Sequence, residues 1–79
     1  MFRVIETYRG ITRPVDDKVH RRSSAVLIRD ERAASQAAHL AGHCPPDCDV
    51  FVEEDGDEVR VGITGPGVDL TTTVAIIAA

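Results

Sequence analysis

The chain has no tryptophan, one tyrosine and two phenylalanines in 79 residues. Any core it builds is therefore aliphatic, and the aromatic platforms on which nucleic-acid bases stack are missing. Leucine is scarce, at three, and lysine occurs once beside eight arginines, a bias that high-GC coding produces. No apolar run approaches the roughly 18 residues of a membrane span, which excludes an integral helical membrane protein. Arg3 stands where a secretory signal needs an apolar stretch, so the expected location is the cytoplasm. With two cysteines and no such signal, a disulfide framework is not expected. The length itself leaves room for one domain, 1–79, and little room for a deep substrate pocket, which excludes a large multistep enzyme.

Val, Ile, Leu and Phe together number 21, above the floor of roughly one residue in five below which charged chains stay disordered. Val and Ile account for 16 of these and threonine adds six. Such β-branched residues favour pleated surfaces, so more strand than helix is expected. Residues 2–9 alternate, with Phe2, Val4 and Tyr8 on one side and Arg3, Thr7 and Arg9 on the other. Ile5 breaks the alternation, and Glu6 falls on the apolar side. Gly10 ends this strand and residues 11–19 return beside it, with Pro14 at an edge or bulge. The run Ala25-Val26-Leu27-Ile28 is read as a buried strand, followed by Asp30 as helix N-cap. Residues 31–41 are alanine-rich and helical, with Ala33, Ala34, Ala37, Ala38, Leu40 and Ala41 on one flat face and Arg32, Ser35, Gln36 and His39 opposite. Gly42 and Pro45-Pro46 stop the helix.

Residues 49–63 read as a hairpin, with Asp55-Gly56 as a type I′ loop. That loop puts Val52 opposite Val59, Val50 opposite Val61 and Cys48 opposite Ile63. Gly65-Pro66-Gly67 is a second turn, and residues 68–77 form a last strand. The resulting expectation is an α+β domain: a mostly antiparallel sheet of four to five strands with one Ala-rich helix packed on a face.

Four residues could ligate zinc: His39, His43, Cys44 and Cys48. The two histidines lie one helical turn apart. Against a metal site, all four crowd one segment, whereas structural zinc draws ligands from two, and Arg32 projects beside His39. The preferred reading makes Cys48 a small core residue and the histidines a solvated face, with no cofactor. Zinc remains the alternative.

The hairpin tip carries Glu53, Glu54, Asp55, Asp57 and Glu58. The expected register sets Glu53 against Glu58 and Glu54 against Asp57, and like charges there repel. A basic protein partner or a calcium ion would relieve that repulsion, although the order of acids does not match an EF-hand. Otherwise the tip serves solubility and discourages edge aggregation. Charge is also split along the chain. Residues 1–32 carry a net +3 and residues 33–79 a net −7, which raises the alternative of an acidic mimic of nucleic acid. Nucleic acid itself is not an expected partner, because Arg21-Arg22 with Lys18, His20 and Arg29 makes only a modest basic patch. Residues 71–79 are uncharged and β-prone. They either lie inside the sheet or use Ile76 and Ile77 to join a homodimer or a partner. Ser23 and Ser24 lack an elbow motif and the carboxylates sit on a solvent tip, so no enzyme is expected.

The opening Phe2-Arg3-Val4-Ile5-Glu6-Thr7-Tyr8-Arg9-Gly10, followed by the Ala-rich helix ending His39-Leu40-Ala41-Gly42, is similar to short accessory proteins encoded by phages of high-GC Gram-positive bacteria. The similarity covers about half the chain, includes no diagnostic functional motif and carries over no site residues. It implies a small non-enzymatic module that binds a host protein.

Overall fold

The computed structural model describes every residue, Met1–Ala79. Five strands and one helix follow in the order β1 (Phe2–Tyr8), β2 (Ile11–Pro14), α1 (Arg22–Ala41), β3 (Asp49–Asp55), β4 (Glu58–Gly65) and β5 (Val68–Ala78). The sheet is antiparallel throughout, in the order β2-β1-β5-β4-β3. The expected α+β architecture is the one formed, with α1 lying on a single face of the sheet. The uncharged tail is the central strand, paired with β1 on one side and β4 on the other. This burial removes the aggregation hazard of an exposed β-prone run.

Side chains alternate across the sheet, so register decides which ones meet the helix. Phe2, Val4 and Glu6 of β1, Thr72, Val74 and Ile76 of β5, and Val59, Val61 and Ile63 of β4 share the helix side. The core has two parts. Val4, Ala25, Val74 and Ile76 form one, with Phe2 and Ile28 packed on it; Ala33, Val59 and Val61 form the other, with Ala37 and Leu40. Each fully buried valine contributes on the order of 2 kcal/mol.

The sequence reading of the helix needs two corrections. It starts at Arg22, so residues 25–28 are helical and Asp30 is inside the helix, not its N-cap. Ala25, Ile28, Arg29, Arg32, Ala33, Gln36, Ala37 and Leu40 recur at helical spacing toward the sheet, and that periodicity outweighs the β propensity of four residues. The buried face is also rotated: Ala34, Ala38 and Ala41 are exposed, while Arg32 and Gln36 turn toward Glu6.

The β3–β4 register is corrected as well. The loop is Gly56-Asp57, which pairs Val52 with Val61, Val50 with Ile63, and Glu53 with Arg60. Of the two loop residues only Gly56 has positive φ (61°), the requirement of a glycine-first hairpin turn. The shift of two residues leaves every side chain on its expected face. It also leaves one like-charged pair, Asp55 with Glu58, where the expected register has two, and sets Glu53 against Arg60, an electrostatic gain. The two-positive-φ turn occurs instead at Arg9-Gly10 (φ 50° and 76°) between β1 and β2. Pro14 lies on edge strand β2, as expected.

Candidate interaction surface

The five tip acids are not equivalent. On the helix side, Glu54 receives the Arg29 guanidinium at 3.3 Å and Asp57 pairs with Arg22. Arg29 is 4% exposed. It also donates to the Gly56 carbonyl at 3.2 Å and to Asp30 at 3.0 Å, which ties α1 to the hairpin turn. The Arg22 contact holds the Asp57 carboxyl below its usual range. Arg22 and Arg29 belong to the basic first part of the chain and their partners to the acidic second part, so folding neutralises some of the charge split. On the helix-free side, Glu53, Asp55 and Glu58 all lie within 4 Å of one cation, Arg60, at 3.6, 3.5 and 3.9 Å. Three carboxylates sharing a single guanidinium leave that corner of the sheet at a net −2.

This corner belongs to β3, whose outer edge is unpaired. In a two-residue hairpin the residues flanking the loop form the hydrogen-bonded pair. Asp55, Glu53, Phe51 and Asp49 therefore bond to β4, and the backbone groups of Val50, Val52 and Glu54 point outward. Val52 is 57% exposed and adjoins an apolar groove against α1 formed with Ala33, Ala34 and Val59. The opposite edge, β2, has four residues and ends in Pro14, a design that blocks strand pairing.

The two remaining tail residues separate. Ile76 is 4% exposed in the core under α1, where no partner reaches it. Ile77 is exposed on the helix-free face, opposite Arg3.

The possible zinc ligands do not converge. The His39 and His43 rings lie in contact, centroids 4.8 Å apart. The Cys44 thiol instead donates to the Cys48 carbonyl at 3.2 Å, and Cys48 sulfur packs where Gly65 leaves room. No three His, Cys, Asp or Glu side chains surround a common point. Desolvation, then the neighbouring Cys48 and Asp49, pushes the Cys44 thiol up.

One polar cluster escaped the sequence reading. Glu6 accepts from Arg32 Nε at 2.6 Å, Arg32 Nη2 at 3.0 Å and Gln36 Nε2 at 3.1 Å. Its signal was the acid on the apolar side of β1, which needed a helix residue to reach it. The Arg32 hydrogen bond lowers the Glu6 pKa, with Gln36 adding and burial opposing. Because the folded-state value lies below the ordinary 4.5, the stabilisation is complete above that pH and is lost as pH falls through the folded-state value. Glu6→Gln is expected to lower stability by about 1 kcal/mol at neutral pH, a figure discounted for the half-exposed arginine. Thermal melts at falling pH should show the two proteins converging in acid; a constant gap would contradict the ion pair.

No helix is long and apolar enough to cross a membrane. Comparison with protein-family models, with curated proteins and with solved structures gives no match.

Proposed function

We propose that the chain is a small non-enzymatic protein-binding module that accepts an extended, basic segment of another protein as a sixth strand along β3. The observation that carries this reading is the open β3 edge, with outward backbone groups at Val50, Val52 and Glu54 beside the under-neutralised carboxylates of Glu53, Asp55 and Glu58. Strand addition draws affinity from main-chain hydrogen bonds and specificity from alternate side chains. An incoming strand would set aliphatic residues beside Val52 on the helix side and basic residues beside Glu53 and Asp55 on the other. A second copy of this chain fits poorly there. Antiparallel pairing centred on Val52 would put Asp49 against Asp55 at both ends, and like charges so placed repel. The resemblance to phage accessory proteins supports a host protein as the source of the segment.

Calorimetric titration with the peptide Lys-Val-Lys-Val-Lys tests the reading. Saturable binding is expected, weakening as salt screens the exposed charges, and absent for Glu-Val-Glu-Val-Glu. Val52→Pro removes one outward N–H without touching the β4 ladder, so circular dichroism should remain that of the parent. Binding should fall by about tenfold or more, the size of a lost backbone hydrogen bond plus its apolar contact. Equal affinity for parent and Val52→Pro would sink the proposal.

A further inference from the structure

We propose that the cleft between α1 and the β1–β2 hairpin binds a small aromatic carboxylate, held at one end by Arg13 and at the other by the Thr72 hydroxyl. The helix packs on β1, β3, β4 and β5 and makes no contact with β2. The helix side of β2 is therefore bare, a shelf beside the wall of α1. Two adjoining hollows of about 310 and 250 Å³ share Glu6 and Tyr8. Together they exceed what a single-ring ligand requires.

The shelf presents Tyr8, Ile11 and Arg13, and the wall presents Gln36, His39 and Leu40. Ile11 is 58% exposed and lies directly across from Tyr8, so an apolar surface stands uncovered in the hollow. Register continues this row inward to Thr72. Thr72 is 7% exposed and lines the cleft floor. Its hydroxyl has no hydrogen-bond partner in the chain, yet no sealed side-chain oxygen or nitrogen goes unpartnered. The hydroxyl therefore opens toward the hollow.

Charge selects the ligand's sign. Glu6 is the one carboxylate facing the cleft and is already held by Arg32 and Gln36. Arg9 and Arg13 make no ion pair, and Arg9 rests 5.3 Å from the centre of the Tyr8 ring. An anion is thus favoured at the outer end, where arginine gives a two-point carboxylate contact. Strand spacing puts the Cα atoms of Arg13 and Thr72 roughly 12 Å apart. Strand side chains stand roughly perpendicular to the sheet, so the Arg13 guanidinium also lies about 12 Å from the Thr72 hydroxyl, the span of one para-substituted ring with a hydrogen bond at each end. Tyr8 and Leu40 are placed to flank that ring.

The probe is 4-hydroxybenzoate, added to the full ¹⁵N-labelled chain and followed by amide shifts. Saturable shifts are expected at Tyr8, Ile11, Leu70 and Thr72, with none for benzyl alcohol, which lacks the carboxylate. Arg13→Gln should weaken binding about tenfold or more, and Thr72→Val about threefold to tenfold. Thr72→Val replaces a hydroxyl by an isosteric methyl, so the fold survives it. Absence of saturable shifts at millimolar ligand overturns the proposal. So do shifts confined to other residues, or affinity unchanged in both variants.

Discussion

Gly62→Ala should cost the protein about 3 kcal/mol or more, a large share of what a domain this small possesses. Replacing glycine inside a strand usually helps, because the substitution restricts the unfolded chain. Here a methyl has nowhere to go. A Cβ on Gly62 would overlap the carbonyl oxygen of Leu70 in the next strand and lie 2.7 Å from the Phe51 ring carbon Cζ. The ring belongs to a side chain that can swing away; the carbonyl is backbone and moves only if β4 and β5 part. The Phe51→Ala/Gly62→Ala double variant should therefore recover little of the loss. Urea unfolding of both variants checks this, and a Gly62→Ala midpoint at or above the parent's would contradict the β4–β5 geometry.

Ile76→Asp should abolish folding. The side chain is 4% exposed among Val4, Ala25 and Val74, with no cation among those neighbours. An unpaired carboxylate there costs several kcal/mol, comparable with the whole stability of the domain. Ile77→Asp, one residue on, points to the other face opposite Arg3 and should leave the melting temperature within a few degrees of the parent's. Circular dichroism separates the two. A folded Ile76→Asp monomer released from a dimer would show that the tail is an interface and would overturn its placement as the central strand.

The contrast between these neighbours shows how much the sequence disclosed. Alternation placed Phe2, Val4 and Tyr8 on one side of β1, because period-two patterning survives without tertiary information, but the tail stayed open between an internal strand and an interface. The helix start was hidden, since Ala25-Val26-Leu27-Ile28 is too short for its own period to show. Only the later recurrence of Arg29, Ala33 and Gln36 on the same face reveals it. The face itself was misjudged by treating alanines as the buried side. On the face observed, Arg32 and Gln36 reach Glu6 of β1 beside the buried Ala25 and Ala33. Register failed by two residues because Asp55-Gly56 and Gly56-Asp57 are both acceptable loops. Charge favours the observed one, which pairs Glu53 with Arg60 and keeps a single like-charged pair, Asp55 with Glu58, a difference that appears only once both registers are compared.

The candidate surface was legible in part. The acidic tip is evident in sequence, but its division is not. Arg29 and Arg22 reach Glu54 and Asp57 from a helix more than 20 residues away, whereas Glu53, Asp55 and Glu58 must share Arg60. The two sheet edges differ for reasons equally local: β2 is short and closed by Pro14, while β3 is long and open.

The amide spectrum of the ¹⁵N-labelled chain, recorded with and without Lys-Val-Lys-Val-Lys, tests the strand-addition reading most directly. Outward-pointing amides at Val50, Val52 and Glu54 should shift and gain protection from hydrogen exchange, while the amides of Phe51 and Glu53, already bonded to β4, change little. A response spread evenly over both sets, or confined to the helix-free face of the sheet, would contradict it.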